Sequence, residues 1–298
     1  PGDPSVAVIQ GLGEIAAAAD PPQSLQAFTS SIETIVHGTT VTTNATLTRN
    51  GACSGLITTA GVRDALEMRR GIREEQYNNR YTNVVPLVPR YRRIGVTGRL
   101  DRNGNEIESL SLDEVQTAVD LFKSEGVEAV SICFMNAFAN PQHEQQAAEL
   151  VRRILPGAYL TVSSELLPSI RFYERVSTTV LNSYVGPILE HYLDRLLSRL
   201  AAEDFTGLLL VMQSNGGVMS PDIARKKPAL TLLSGPAAGP GAGLVYAGAH
   251  GRNNCIVIDM GGTSFEAALV RDEPVMVNEG TIDRHRIALP MLGIHTIG

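Results

Sequence analysis

Residues 255–266 read Cys-Ile-Val-Ile-Asp-Met-Gly-Gly-Thr-Ser-Phe-Glu, and the rest of the chain can be interpreted outward from this stretch. Its first four residues form an apolar run rich in β-branched side chains, which predicts a strand buried on both faces. The run ends at Asp259, and the glycine pair that follows allows a sharp turn. A second strand is predicted over Phe265–Arg271. The pattern therefore predicts a β-hairpin whose tip carries a carboxylate, free N–H groups and two hydroxyls.

Such a tip suits a nucleotide phosphate, because amides and hydroxyls bind phosphate oxygens and a carboxylate binds the accompanying Mg²⁺. The sequence excludes two other phosphate loops here. A P-loop requires a lysine after its glycines, and a dinucleotide fingerprint opens a helix rather than a strand. An ordinary polar hairpin turn is the alternative interpretation, since glycine pairs are common in turns.

Composition limits the class of protein. The 298 residues, 43% hydrophobic and 19% charged, leave room for two domains with a core in each. No apolar run approaches the ~20 residues that span a bilayer, and no export signal is seen. Three separate cysteines in apolar runs (Cys53, Cys133, Cys255) predict buried thiols in a reducing, cytoplasmic setting. A net charge of −6 and the lack of Trp argue against nucleic-acid binding.

Residues 37–44 read His-Gly-Thr-Thr-Val-Thr-Thr-Asn and follow a β-branched run. The threonines are predicted mainly to cap a helix over Asn44–Arg49. Polar groups at the end of a strand can also line a pocket, because ligands in α/β folds bind there. His37 and Thr39 are therefore kept as candidate site residues.

The middle of the chain alternates helices and strands. A capping box at Ser111–Glu114 opens a helix, Asn140-Pro141 opens another, and a buried strand follows each, which predicts a sheet with helices packed on it. Residues 63–102 contain ten arginines and five acids. This basic segment is predicted to be a solvated surface, with a partner-subunit contact or an anionic-substrate rim as alternatives.

Residues 230–249 read as a strand, several glycines and a helix. They resemble a dinucleotide fingerprint but fail it, because Tyr246 stands where the third glycine belongs. The better interpretation is a helix whose small residues allow very close packing against a neighbouring element.

Taken together, these stretches resemble the hydantoinase A/5-oxoprolinase family, to which the ATP-dependent acetone and acetophenone carboxylase subunits also belong. The resemblance covers nearly the whole chain and is carried by seven motifs: His37-Gly-Thr-Thr-Val-Thr-Thr-Asn-Ala, Gly55-Leu-Ile-Thr-Thr-Ala-Gly, Tyr173-Glu-Arg, Ser214-Asn-Gly-Gly, Ser234-Gly-Pro-Ala-Ala-Gly, Asp259-Met-Gly-Gly-Thr-Ser and Ile294-His-Thr-Ile-Gly. It implies an α/β fold of the actin/sugar-kinase/Hsp70 type, with two related domains closing on ATP. Residues 1–176 are then an N-terminal-type region, and residues 177–298 begin the hydantoinase A-type domain.

The resemblance also implies roles for particular residues. The stretch at Asp259 becomes the second phosphate hairpin of the superfamily, with Asp259 positioning Mg²⁺ through water. Asp259, Glu266 and His37 are the catalytic candidates, and the predicted nucleotide-binding residues are Gly235, Gly261, Gly262, Thr263 and Ser264. This chain has Phe265-Glu266 where the family's hairpin commonly ends in Thr-Asp. The family's first hairpin and its adenosine-binding glycines are not in the sequence, so the architecture is expected to be incomplete at both ends and to bind ATP weakly or not at all alone.

Three functions follow from the resemblance. The first is an ATP-dependent hydrolase that phosphorylates the carbonyl oxygen of a cyclic amide before ring opening, working with a hydantoinase B-type partner subunit. The second is a carboxylase subunit that uses the same ATP chemistry on a ketone or bicarbonate. The third is a non-catalytic assembly subunit that keeps the fold without turnover.

Overall fold

The computed structural model describes residues 3–260 and 265–297 and shows a mixed α/β protein. Its α-helices are α1 (Pro4–Ala18), α2 (Leu25–Ser31), α3 (Val41–Leu47), α4 (Ala65–Met68), α5 (Leu112–Ser124), α6 (Gln142–Ile154), α7 (Ser163–Leu166), α8 (Phe172–Ala202), α9 (Pro221–Lys226) and α10 (Ala238–Gly248). Short 3₁₀ turns lie at Arg69–Gly71, Arg90–Arg92, Pro228–Thr231 and Gly235–Ala237.

The strands are short and fall into several sheets. In chain order they are β1 (Thr34–His37), β2 (Ser54–Thr59), β3 (Arg93–Val96), β4 (Arg99–Leu100), β5 (Glu106–Glu108), β6 (Ala129–Cys133), β7 (Tyr159–Val162), β8 (Leu208–Met212), β9 (Val218–Met219), β10 (Asn254–Met260), β11 (Phe265–Arg271), β12 (Glu273–Pro274), β13 (Met276–Val277), β14 (Gly280–Ile282), β15 (His285–Ile287), β16 (Met291–Leu292) and β17 (Ile294–Ile297).

The chain forms two compact units, each built from separate segments. Unit 1 comprises Pro1–Thr43, Ile188–Val277 and Pro290–Gly298, and unit 2 comprises Asn44–Pro187 and Asn278–Leu289. The units are thus interleaved along the sequence. The division at residues 176/177 inferred from the family resemblance remains a prediction about domains of the whole protein.

Unit 2 is built on a four-stranded parallel sheet in the order β3-β2-β6-β7. β2 is buried along its whole length, including its hydroxyl residues Ser54, Thr58 and Thr59. α5 and α6 bury Val119, Phe122 and Val151 in the core beside it. At Gly55 of β2 a Cβ atom would come within 2.6 Å of the Phe122 ring. That glycine therefore allows α5 to pack directly on the sheet.

The predicted helix signals in unit 2 are largely confirmed. The Ser111 side chain accepts the Glu114 N–H at the start of α5, and Gly126 follows its end with φ +64°. The Glu114 carboxylate does not complete the capping box, because it accepts from the Thr97 N–H and hydroxyl instead. At α6, Asn140 accepts from the Gln142 N–H as a cap residue.

Among the described residues, unit 1 contains three small sheets, one of which is the antiparallel pair of β13 and β16. β1 pairs in parallel with β8, and β9 adds to β8 in antiparallel fashion. β10 and β11 form the predicted antiparallel hairpin, and β12 and β17 both pair with β11. The C-terminal half of α8 buries Leu189, Leu193 and Leu196 in a core that also contains Leu209 and Val211 of β8.

One prediction about β10 is wrong. The strand is not buried on both faces, because Ile256, Ile258 and Met260 are 68%, 60% and 79% exposed. The alternate residues Cys255 and Val257 are half-buried against α10. Within the described residues, α10 covers one face of the hairpin, so the continuous apolar run behaves as a half-buried strand.

Other local predictions are corrected by polar contacts and by proline. Residues 230–233 do not form a strand, since the 3₁₀ turn at Pro228–Thr231 occupies this region and Pro lacks the N–H that a strand ladder needs. α3 begins at Val41 rather than Asn44, because the Thr39 hydroxyl accepts the Val41 N–H. Among the three cysteines only Cys133 is buried, with Cys53 and Cys255 half-buried.

None of the helices in the described part of the chain has both the length and the apolar character that crossing a bilayer requires.

Candidate functional site

The predicted phosphate hairpin is formed by β10 and β11. Their antiparallel register places Asp259 directly opposite Glu266 and Met260 opposite Phe265. β17 extends the row, with Thr296 paired to Glu266 on the far side of β11. Four of the predicted phosphate-binding residues, at positions 261–264 (Gly261, Gly262, Thr263 and Ser264), lie outside the described residues.

The two acids of the hairpin share one face of the sheet. Residues that are directly opposite in an antiparallel pair project to the same side, with Cβ atoms roughly 5 Å apart. Because strand side chains alternate, Asp259 lies on the same face as Val257, which packs against α10. The Asp259 side chain is exposed, and that of Glu266 is half-buried. The structure therefore brings the two predicted acidic site residues together.

α10 points its N-terminal end toward the tip of this hairpin. A Cβ atom at Gly239 would lie 3.4 Å from Val257, whereas one at Gly243, a turn later, would overlap Val257 and lie 3.4 Å from Cys255. The helix therefore runs antiparallel to β10, and its first turn lies toward the Asp259 end of the strand. The N-terminus of a helix carries a partial positive charge, which favours a bound anion. Here the 3₁₀ turn Gly235–Ala237 leads into α10, and the Ala237 and Ala238 N–H groups donate to the Ser234 and Pro236 carbonyls.

The segment before α10 is held by the threonine-rich motif. Ser234 donates to the Thr39 carbonyl at 3.1 Å, and the Leu233 N–H donates to the Thr43 hydroxyl at 2.8 Å. A Cβ atom at Gly235 would lie only 2.7 Å from the Thr40 methyl group. Thus Gly235, predicted to contact nucleotide, lies against the motif that contains His37. The Thr39 hydroxyl accepts the Val41 N–H at the start of α3, while the Thr43 hydroxyl instead accepts from the entry to α10.

His37 ends β1 and contacts a tyrosine that sequence patterns did not reveal. Its Nε2 atom lies 2.7 Å from the Tyr192 hydroxyl, and the two rings are stacked with centroids 5.8 Å apart. Burial lowers the pKa of His37 below 6.5 and raises that of Tyr192 above 10. His37 is therefore a neutral imidazole near pH 7. Tyr192 lies within the long apolar helix α8, where no motif marks it.

Two other family motifs have structural roles. In Ser214-Asn-Gly-Gly, Ser214 donates its hydroxyl to the Leu230 carbonyl at 2.7 Å, and Gly216 adopts φ +81° in the turn after β8. In Tyr173-Glu-Arg, Arg69 donates to the Tyr173 hydroxyl and Arg70 pairs with Glu174. These contacts account for both motifs without a ligand.

The arginine of the second motif belongs to a buried network in unit 2. Arg175 and Glu144 are both fully buried and lie 3.5 Å apart. Glu144 also accepts from the Phe134 and Ser164 N–H groups, each at 2.8 Å, and Arg175 donates to the Phe134 carbonyl at 2.7 Å. This network ties the end of β6 to α6 and α8.

The described residues contain no group of three or more His, Cys, Asp or Glu side chains that could hold a metal ion. A predominantly protein-ligated cation site is therefore not present among them. Mg²⁺ usually keeps several waters and takes one or two carboxylates together with substrate phosphates. The facing carboxylates of Asp259 and Glu266 fit that donor set.

A family model described as "Hydantoinase/oxoprolinase N-terminal region" matches residues 1–155, and one described as "Hydantoinase/oxoprolinase" matches residues 175–298. Caprolactamase subunit alpha of Pseudomonas jessenii is 35% identical over 100% of this chain and 43% of its own length. The acetophenone carboxylase gamma subunit of Aromatoleum aromaticum is 28% identical over 92% of this chain and 39% of its own length.

The crystal structure of the ATP-dependent caprolactamase from Pseudomonas jessenii has the same fold. It aligns with a TM-score of 0.91 and 34% sequence identity, covering 99% of this chain and 43% of that chain. The predicted α/β architecture is confirmed by this likeness. The chain belongs to the hydantoinase/oxoprolinase family, and it spans less than half the length of these relatives.

Proposed function

We propose that this chain is part of an ATP-dependent hydrolase of the hydantoinase/oxoprolinase type, which activates a cyclic amide by phosphorylating its carbonyl oxygen. One observation carries the proposal: the Asp259–Glu266 pair and the first turn of α10 lie at the same end of the β10–β11 hairpin. This arrangement offers carboxylates for a metal ion and a helix N-terminus for phosphate oxygens, as a bound Mg²⁺-nucleotide requires.

The residues of the hairpin would have distinct roles. Asp259 would hold Mg²⁺ through water, with Glu266 beside it as a second acidic group. Bound there, Mg²⁺ would neutralise the negative charge that develops on the phosphoryl oxygens during transfer. The predicted ligands of those oxygens are the N–H groups and hydroxyls of Gly261, Gly262, Thr263 and Ser264, with Gly235 contributing before α10.

Phosphorylation of the amide and opening of its ring take place in three steps. The carbonyl oxygen of the cyclic amide attacks the γ-phosphorus of ATP, and ADP leaves. A water molecule adds to the activated carbon, and the ring C–N bond breaks to release the amine and leave an acyl phosphate. A second water attacks the acyl carbon, so that phosphate departs with the original carbonyl oxygen. The amide is a poor electrophile until its oxygen becomes part of a leaving group, which is why ATP is consumed.

The chain is 35% identical to the caprolactamase subunit and 28% identical to the acetophenone carboxylase subunit. This difference favours a cyclic amide over a ketone as the substrate. Caprolactam is itself a cyclic amide. The names of both relatives describe subunits, which supports a partner subunit for this protein, and we propose that it is of the hydantoinase B type. A carboxylase subunit with the same ATP chemistry is the second candidate.

Phosphate release by the full-length protein with its partner subunit tests the proposal. We expect release that depends on Mg²⁺ and on a lactam, hydantoin or 5-oxoproline, and its loss in Asp259→Asn. The matched control is Asp272→Asn, at an exposed turn after β11. Release that requires ketone plus bicarbonate would assign the carboxylase function instead. Full activity in Asp259→Asn would indicate a non-catalytic assembly subunit.

A further inference from the structure

A chain of three hydroxyl and imidazole groups ends at His37. Tyr192 is only 3% exposed, so its hydroxyl must find its hydrogen-bond partners within the protein. It has two in unit 1, the Thr39 side chain and the Nε2 atom of His37 at 2.7 Å. Thr39 is itself fixed, since its hydroxyl oxygen accepts the Val41 N–H at 3.3 Å.

The direction of these bonds decides which nitrogen of His37 carries the proton. The Thr39 hydroxyl oxygen already accepts from a backbone N–H, so its own proton is free to be donated to the Tyr192 oxygen. With Thr39 as the donor, Tyr192 donates its proton to Nε2 of His37, which is then an acceptor. In a neutral imidazole the other nitrogen, Nδ1, carries the hydrogen. Because a hydroxyl oxygen has two lone pairs, the reverse direction would instead make Nε2 the donor, and the NMR test below distinguishes the two. Among the described residues no hydrogen bond to this Nδ1 atom is found.

The position of His37 in the fold would allow its Nδ1–H group to contact a ligand. β1 and β8 are parallel, and His37 pairs with Val211 near their carboxyl ends, where ligands of α/β sheets bind. The next residue, Gly38, has open space beside it, because the nearest atom to a Cβ atom there would be the Ser234 carbonyl at 3.9 Å. Ser234 immediately precedes the predicted nucleotide contact Gly235.

We propose that Tyr192 is a positioning residue that holds His37 as the Nδ1–H tautomer, so that His37 donates a hydrogen bond to an oxygen atom of the substrate. This inference rests on the proposed function, because it assumes that His37 faces the substrate side of the site. It adds Tyr192 to the candidate site residues, gives Thr39 a role behind it, and defines a polarity, because the site presents an uncharged donor that selects an oxygen acceptor. If Tyr192 only packed in the core, its hydroxyl could be hydrogen-bonded with either tautomer of His37.

The first test is ¹⁵N NMR of histidine-labelled protein, with His37→Gln used to assign the His37 signals. We expect a neutral imidazole protonated at Nδ1 in the wild type. Loss of the tyrosine hydroxyl in Tyr192→Phe should shift His37 toward the Nε2–H tautomer. Tyr184→Phe, which removes the hydroxyl of another buried tyrosine of α8, is the control and should leave the tautomer unchanged. A wild-type His37 that is protonated at Nε2 would overturn the proposal without any variant.

The second test is kinetic and uses the full-length protein with its partner subunit. We expect Tyr192→Phe to raise the KM for the cyclic amide about tenfold, the effect of one lost hydrogen bond, and to leave the KM for ATP unchanged. Thr39→Val, which removes the hydroxyl behind Tyr192, should act in the same direction. Unchanged cyclic-amide kinetics in Tyr192→Phe would overturn the proposal. If the proposed function is wrong, activity will survive in Asp259→Asn. The NMR result does not depend on that activity.

Discussion

Asp259 and Glu266 are directly opposite each other in the register of the β10–β11 hairpin, so that two carboxylates share one face at its tip end. Like charges in this position destabilise a sheet, typically by a few tenths to 1 kcal/mol. A hairpin that serves only as a turn gains nothing from such a pair. A hairpin that binds a Mg²⁺-nucleotide gains a metal-binding group.

The Asp259–Glu266 pair predicts opposite effects of Asp259→Asn on the stability of the free protein and on its stabilisation by Mg²⁺-ATP. We expect Asp259→Asn to increase the free energy of unfolding slightly in the absence of nucleotide, because it removes the repulsion. The same substitution should abolish the extra thermal stability that Mg²⁺-ATP gives the full-length protein. Urea denaturation and thermal melts with and without Mg²⁺-ATP measure the two effects. A ligand-induced shift in Tm that persists in Asp259→Asn would count against a metal role for this residue.

Glu266 allows a finer test of the same face. Glu266→Asp restores the side-chain length that is common in the family and should retain activity, because it keeps the carboxylate. Glu266→Gln keeps the length and removes the charge, and we expect it to lower kcat more than Glu266→Asp does. Steady-state kinetics on both variants decide between a charge role and a purely structural one. Loss of activity in Glu266→Asp together with full activity in Glu266→Gln would show that length, not charge, matters.

The contact of α10 with β10 depends on one glycine. A Cβ atom at Gly243 would overlap the Val257 side chain, whereas nothing lies within 4 Å of the corresponding position at Gly241. We expect Gly243→Ala to destabilise the protein by about 1–3 kcal/mol through overpacking. Gly241→Ala should instead be neutral or stabilising by roughly 0.5–1 kcal/mol, because it removes glycine from a helix interior. Urea denaturation of the two variants provides the comparison, and equal effects would contradict this packing.

Stability should fall at mildly acidic pH because of His285. Burial lowers its pKa in the folded protein from 6.5 to about 4. Between these values the unfolded chain binds a proton that the folded chain does not, so stability is full above pH 6.5 and declines as pH falls toward 4. The full loss is about 3 kcal/mol. We expect His285→Gln to reduce the pH dependence of stability in this range. His191→Gln, at an exposed position of α8, should leave that dependence unchanged. An unchanged slope in His285→Gln would refute the assignment.

The Glu144–Arg175 pair should be sensitive to loss of either partner. Both side chains are fully buried, and removing one leaves an uncompensated charge, at a cost of about 3–5 kcal/mol. We expect Arg175→Met to destabilise unit 2 by this order. Asp222→Asn, at an ion pair that is 85% exposed on the Asp222 side, should have little effect because solvent screens such pairs. A small effect of Arg175→Met on the urea midpoint would contradict the role given to the network.

The parts of the fold that sequence predicted well are those with local causes. The capping serine of α5, the buried strand β6 and the hairpin at Asp259 each depend on residues that are close in the chain. The failures have non-local causes. The exposed face of β10 depends on which elements cover the hairpin, and the start of α3 depends on the side chain of Thr39.

The candidate site was predicted unevenly for the same reason. Asp259 and Glu266 could be paired from the sequence, because the hairpin fixes their register. Tyr192 could not be found, since it lies 155 residues from His37 in a long helix where no motif marks it. The Gly243–Val257 contact was anticipated only as a general preference of small residues for close packing, because no pattern names the partner strand.

The transfer of oxygen from the cyclic amide to phosphate tests the central claim most directly. Full-length protein and its partner subunit would be given a lactam labelled with ¹⁸O at the carbonyl, together with ATP and Mg²⁺, and the released phosphate analysed by mass spectrometry. Phosphorylation of the carbonyl oxygen predicts one ¹⁸O atom in phosphate for each ring opened. Phosphate that contains no ¹⁸O, with all of the ¹⁸O retained in the ring-opened product, would contradict the account.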